Sequence, residues 1–182
     1  MTRSNEERLE DEHFWLREKE NPAVRAHLAA ENAYADSVMK PTELLREALY
    51  EEMLGRIQQT DLSVPYRKGS DFYYSRTEEG KQYPIHCRRR GSLDAPEEVT
   101  LDLNELGRNE KFVELDEYGV SDDGSLLAYS IDVTGFREFT LRIKDLNTGE
   151  LLPESVPKVA GAAWAADGKT LFYVTENDAK RP

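Results

Sequence analysis

The spacing of apolar positions changes once along this chain, near residue 57. Before that point Val24, Leu28, Ala35 and Val38 recur at intervals close to 3.6, with Glu31 interrupting the stripe, and predict a helix over 22–39. Asn21-Pro22 forms its start, because Asn can cap and Pro at the first helical position gives up no needed hydrogen bond. Pro41 ends that helix. Thr42 stands where the cap of a second helix belongs, and Glu43 complements its positive end. Leu45, Leu49 and Met53 stripe this second helix over 42–54, with Leu44, Ala48 and Leu54 beside it, and Gly55 is expected to close it in a left-handed cap. Upstream, His13-Phe14-Trp15-Leu16 is an aromatic cluster suited to anchoring an arm.

Beyond Gly55 the pattern shortens. Pro65, Gly69, Gly80, Pro84 and Gly91 punctuate stretches rich in Tyr, Phe, Val and Ile, which are strand and hairpin signals. Strands are expected at 71–76, 83–89, 111–119, 126–132, 138–145, 159–165 and 170–175. Asp145-Leu146-Asn147-Thr148-Gly149 predicts a tight hairpin between 139–144 and 150–156.

An internal repeat organises this second part. Val120-Ser121-Asp122-Asp123-Gly124-Ser125-Leu126-Leu127-Ala128-Tyr129 matches Trp164-Ala165-Ala166-Asp167-Gly168-Lys169-Thr170-Leu171-Phe172-Tyr173, with Asp123 and Asp167 separated by 44 residues. A weaker copy aligns Gly69 with Gly124 and Tyr74 with Tyr129, and Tyr83–Cys87 aligns with Phe139–Ile143. A strand, an Asp-Gly turn and three further strands at this period read as propeller blades. Asp-Gly allows positive φ at a tight turn, and the apolar residues after it fill strands buried between neighbouring blades. The sequence holds about two blades and the beginning of a third, fewer than a closed propeller needs.

Charge narrows the functional classes. The formal net charge of −12 argues against a nucleic-acid partner, which demands clustered Lys and Arg. Arg88-Arg89-Arg90 is the only basic run; followed by an acidic patch from Asp94 to Glu98, it reads as a solvated strand end or turn rather than an anion site. With 38% hydrophobic and 33% charged residues the core is modest, and the dense apolar stretches after Phe112 place more of it in the second half. Cys87 is the lone cysteine, so no internal disulfide forms, and it reads as a small buried residue. The charged stretch Met1 to Glu12 lacks a signal peptide's apolar core, and no apolar run reaches the ~20 residues of a membrane span. Cytoplasmic residence is the expectation.

A search for chemistry returns no catalytic, cofactor-binding or metal-binding residue. There is no G-x-S-x-G elbow, and Ser63, Ser70, Ser75, Ser92, Ser121 and Ser125 stand in turn or strand contexts. His13, His27 and His86 are not spaced as metal ligands. His86 alternates with Ile85 and Cys87, which points it to solvent or to a hydrogen bond facing the barrel. Asp122-Asp123 and Asp167 are turn formers, too short a run for a calcium loop. Trp15 and Trp164 read as packing anchors.

Longer runs carry a resemblance. Asp11-Glu12-His13-Phe14-Trp15-Leu16-Arg17, Asn21-Pro22 and Ala30-Glu31-Asn32-Ala33-Tyr34 resemble the N-terminal arm of prolyl oligopeptidase family enzymes. The run from Glu52 to Tyr66 and that from Tyr73 to Ile85 resemble the oligopeptidase B branch in particular. The resemblance covers the chain from about Asp11 to its end. It implies a mixed fold, with an N-terminal helical arm over 1–57 and a partial antiparallel β-propeller of two to three blades over 58–182. The full-length family protein would have seven blades and a C-terminal α/β-hydrolase domain bearing Ser, Asp and His, against which the arm packs.

The implied activity is serine-type hydrolysis of short peptides after Arg or Lys, with the propeller shielding and gating the active site. The catalytic residues would lie beyond Pro182, so residues 1–182 alone are expected to be inactive. If the resemblance holds, Val159 to Ala163 would lie near the central channel. The alternatives are a stand-alone propeller-like module that binds a protein partner without catalysis, and self-association in which copies supply each other's missing blades.

Overall fold

A computed structural model describes residues 11–177. The charged stretch before Asp11 and the closing Arg181-Pro182 lie outside the described residues. The fold forms two compact units that divide between Ile57 and Gln58.

In the first unit a short 3-10 turn, Phe14–Arg17, precedes α1 (Pro22–Met39) and α2 (Glu43–Gly55), which a second 3-10 turn, Lys40–Thr42, joins. Asn21 caps α1 as its sequence dictates: its side-chain oxygen accepts from the Ala23 N–H at 2.9 Å. Two expected end signals act otherwise. Thr42 caps nothing, because the 3-10 turn keeps it close to helical and its hydroxyl donates back to the Met39 carbonyl at 2.7 Å. Gly55 stays within α2, and Arg56 closes the helix in a right-handed conformation, its N–H reaching the Met53 carbonyl. The Trp15 ring meets His27 edge-on at 5.4 Å, and the Arg17 guanidinium lies 4.6 Å from the centre of the Phe14 ring. Among the described residues of this unit Val24 is the buried apolar one, and the α2 stripe of Leu45, Leu49 and Met53 is exposed.

The second unit is built of antiparallel sheets in succession. In the first sheet β1 (Asp61–Leu62) and β2 (Tyr66–Lys68) both pair with β3 (Asp71–Thr77), followed by β4 (Ile85–Arg89) and β5 (Glu97–Asp102). Pro65 lies in the gap between β1 and β2, where its missing N–H breaks no ladder. A one-turn helix, α3 (Leu103–Leu106), capped by the Asp102 carboxylate, leads to the second sheet. That sheet is a meander of β6 (Glu114–Val120), β7 (Leu126–Asp132), β8 (Thr140–Asp145) and β9 (Leu151–Val156). A third begins with β10 (Val159–Trp164) paired to β11 (Leu171–Thr175).

The expected strands are present with shifted ends, and β5 and the split β1–β2 strand are additional. The repeat has structural meaning at its glycines: Gly69, Gly124 and Gly168 have φ of 61°, 73° and 66°, a region that costs a side chain about 1–2 kcal/mol. The Asp145–Gly149 hairpin forms as its turn residues require, with Gly149 at φ 80° and its N–H on the Asp145 carbonyl at 2.8 Å.

Strand alternation sends neighbours to opposite sides. Leu127 and Tyr129 on β7 join Tyr73, Leu101, Leu103, Val113 and Val120 in a core shared by the first two sheets. Ala128, between them in sequence, packs with Leu141 and Val159, with Trp164 and Leu171 against that cluster. Burying a side chain such as Leu127 contributes roughly 1.5–3 kcal/mol, and here that gain depends on a second sheet being present.

Candidate functional site: the seams between blades

The chemistry-bearing side chains gather where one sheet meets the next. Arg88 is the central case and corrects the sequence expectation: it is neither solvated nor an anion site, with only 1% of its side chain exposed. From β4 its guanidinium reaches the second sheet, donating to the carbonyls of Gly124 at 2.5 Å and Leu146 at 3.3 Å. Its Nε donates to Glu98 on β5 at 2.7 Å. Burial works against its charge, but Glu98 and Tyr73 outweigh it and raise its pKa. The acidic patch is the complement of the basic run. Glu98 also binds Arg90, while Glu97 takes Arg76 at 2.9 Å and the Tyr74 hydroxyl at 2.6 Å.

The turn after each sheet's first strand meets its neighbour. Lys68 donates to the Val120 carbonyl and lies 3.4 Å from the Asp122 carboxylate. A Cβ on Gly124 would stand 3.5 Å from the Asp71 carboxylate and 3.7 Å from the Tyr73 hydroxyl, and one on Gly168 would stand 3.6 Å from the Asp123 carboxyl carbon. Trp164 anchors the next seam, its indole N–H donating to the Gly119 carbonyl at 2.8 Å. Inside the turns, Asp123 accepts from the Ser121 hydroxyl and from the Ser125 N–H and hydroxyl, which hold its pKa down at about 2. Asp167 accepts from the Thr170 and Lys169 N–H groups and the Thr170 hydroxyl, with the same result.

His86 also departs from expectation. It alternates with the buried Ile85 and Cys87, yet the face it takes is the seam: its ring stacks on Tyr118 of β6, centroids 4.7 Å apart, and its Nε2 has no hydrogen-bond partner among the described residues. Desolvation lowers its pKa. Cys87 is fully buried and its thiol is pushed up to about 11 by burial, then by Glu97, which makes it a poor nucleophile at neutral pH.

The first strands of the second and third sheets, β6 and β10, lie beside each other, as innermost propeller strands do. Val159 is buried, while Ala160 is exposed. A cavity of about 430 Å³ is lined by Asp116, Arg137, Phe139, Val159, Ala160 and Glu176. Arg137 takes a left-handed backbone, φ 58°. Asp132 shapes the loop before it, accepting from the Thr134 and Arg137 N–H groups at 2.7 Å each.

Among the described residues no hydrogen bond joins a serine side chain to a histidine side chain, and no group of three or more His, Cys, Asp or Glu is placed to hold a metal ion. Ser121 and Ser125 serve Asp123, Ser63 accepts from the Ser75 N–H, and Ser130, which carried no sequence signal, accepts from the Glu117 N–H. No helix among the described residues is long and apolar enough to cross a membrane.

Antiparallel sheets stacked face to face, joined through glycine turns and cross-seam hydrogen bonds, define successive blades of a β-propeller. The whole chain, residues 1–182, matches the family described as prolyl oligopeptidase, N-terminal beta-propeller domain, and it belongs to that family.

Among its relatives, dipeptidyl aminopeptidase BI of Pseudoxanthomonas mexicana is 43% identical over 92% of this chain and 26% of its own length. Protease 2 of Moraxella lacunata is 38% identical over 95% and 26%. Oligopeptidase B of Leishmania major superposes with a TM-score of 0.88 at 29% identity, over 99% of this chain and 26% of that one. Oligopeptidase B of Trypanosoma brucei, solved in a closed form with covalently bound antipain, gives 0.86 at 27% identity over the same shares. The chain thus spans about a quarter of the length of these relatives.

Proposed function

We propose that residues 1–57 and 58–182 are the arm and the opening blades of a serine-type oligopeptidase that hydrolyses short peptides after Arg or Lys in the cytoplasm. In this reading the blades shield and gate an active site carried by an α/β-hydrolase domain of the same protein, on which the arm packs. No residue of 1–182 is catalytic, and none holds a cofactor. The observation that carries the reading is the match of the entire chain to the family's propeller domain, together with the oligopeptidase B neighbours. The closed, antipain-bound form described for the Trypanosoma brucei enzyme supports a gating role.

A second reading of the cleavage rests on the relative named dipeptidyl aminopeptidase BI: release of dipeptides from a free N-terminus. Paired substrates separate the two in a chain of the relatives' length. An N-terminally blocked fluorogenic Arg peptide is cleaved under the first reading, whereas only its unblocked counterpart is cleaved under the second.

A further inference from the structure

The seam between the first two blades holds more polar chemistry than packing requires. His86 of β4 lies flat on Tyr118 of β6 with its Nε2 buried and unpartnered among the described residues. Thr100 of β5 ties the same place together: its hydroxyl donates to the His86 carbonyl at 3.0 Å and shares a hydrogen bond with the Tyr118 hydroxyl. From β8, Lys144 donates to the Thr100 carbonyl at 2.9 Å.

The charged and titratable groups that meet at this seam are Tyr66 and Lys68 of β2, Asp71 and Tyr73 of β3, Arg88 of β4 with Arg90 just beyond it, Glu98 of β5, Tyr118 of β6, Asp122 in the following turn, Tyr129 of β7 and Lys144 of β8. The cations are Lys68, Arg88, Arg90 and Lys144, and the carboxylates are all engaged: Glu98 by Arg88 and Arg90, Asp122 by Lys68, and Asp71 by the Ser70 hydroxyl and the Gly91 N–H. A proton on His86 would therefore add a further positive charge to a half-buried polar seam whose carboxylates are already engaged, and would need a hydrogen-bond acceptor for Nε2 that its position does not supply.

We propose that the seam between blades 1 and 2 is an acid-operated catch, in which protonation of His86 unseats its ring from Tyr118 and lets the two blades part. The direction follows from linkage. The lowered folded-state pKa means that the unfolded or opened state binds the proton more tightly. The contribution of His86 to the closed seam is complete above the ordinary value of 6.5 and is lost as pH falls from there towards the folded value. The catch stands independently of the peptidase reading, since it concerns two blades described by their own contacts. In a longer chain of the proposed kind it would loosen the wall of the propeller in acid.

Hydrogen exchange of a chain of the relatives' length, read by mass spectrometry and corrected for the intrinsic pH dependence of exchange, tests this. Between pH 7.5 and 5.5 the amides of β4, β5 and β6 should lose protection by about tenfold, the limit set by one proton over one pH unit below 6.5. The β8–β9 hairpin should change little. His86→Phe keeps a ring on Tyr118 but cannot take a proton, and its protection should be flat over that range. Equal losses in both proteins, or no loss in the wild type, overturn the proposal. Should the variant fail to fold, exchange at the His86 ring carbon of the wild type decides: a midpoint below 6.5 that coincides with the loss of amide protection supports the catch. A midpoint at or above 6.5, or one without any change in the seam amides, refutes it.

Discussion

Arg88, on β4 of blade 1, donates a hydrogen bond to the backbone carbonyl of Gly124 in the β6–β7 turn of blade 2. A buried guanidinium with two carbonyls and one carboxylate around it fastens two repeat units whose apolar faces would otherwise be exposed. Arg88→Ala should leave the Gly124 and Leu146 carbonyls unserved, while the more exposed Glu98 keeps Arg90, costing about 1–3 kcal/mol. Arg90→Ala removes an exposed ion pair and should cost under ~1 kcal/mol. Urea denaturation of the two variants checks the contrast; similar midpoints would remove Arg88 from its role as a pin.

Two glycines separate backbone need from helix propensity. Gly124→Ala meets a left-handed backbone and the close approach of Asp71 and Tyr73, and should destabilise by at least ~1–2 kcal/mol. Gly55→Ala has nothing within 4 Å and no positive φ. Near the end of α2 it should be neutral or stabilise by up to about 1 kcal/mol. Thermal melts of both reveal whether the signs differ as stated.

Much of this architecture was legible in the residues, and what was hidden had a common cause. Asn21-Pro22 and the repeat glycines act locally, through backbone conformation, so their roles survive translation from sequence. Arg88, Glu97 and Glu98 do not: an arginine run beside an acidic patch reads as solvent-exposed, and only the pairing of β4 with β5 sets the opposite charges side by side. The alternation of His86 with Ile85 and Cys87 is legible but its destination against Tyr118 is not, because periodicity tells which face a residue shares, not what covers that face. Gly55 misled because a glycine near a helix end permits a left-handed cap without requiring it.

The turn aspartates give the chain an acid signature. Asp123 and Asp167 have folded pKa values of about 2, below the ordinary 3.8. Their contribution is therefore complete above about pH 4 and is lost as pH falls from there through about 2. Asp123→Asn and Asp167→Asn should flatten the melting temperature over that window, and a wild-type slope retained in both would assign the acid response to other groups.

The 182-residue chain should associate. Leu44, Leu45 and Met53 on α2 and Phe172, Tyr173 and Val174 on β11 are exposed, and apolar surface on this scale ordinarily marks an interface. Light scattering should find oligomers or aggregate. A monomer that melts cooperatively above ~60 °C would show a self-sufficient domain and favour a binding module over a peptidase segment.

The central claim is that these blades screen access while bond-breaking resides elsewhere, and one assay addresses both halves. Residues 1–182 and a chain of the relatives' length are each given a short fluorogenic Arg peptide and an unfolded polypeptide of ~100 residues. The account predicts background turnover from 1–182 on both substrates, since acyl transfer needs a nucleophile, a base and oxyanion donors held together. It predicts cleavage by the longer chain of the short peptide alone. Turnover by 1–182 that survives repurification and disappears on mutating one of its serines would contradict the account, as would equal cleavage of both substrates by the longer chain.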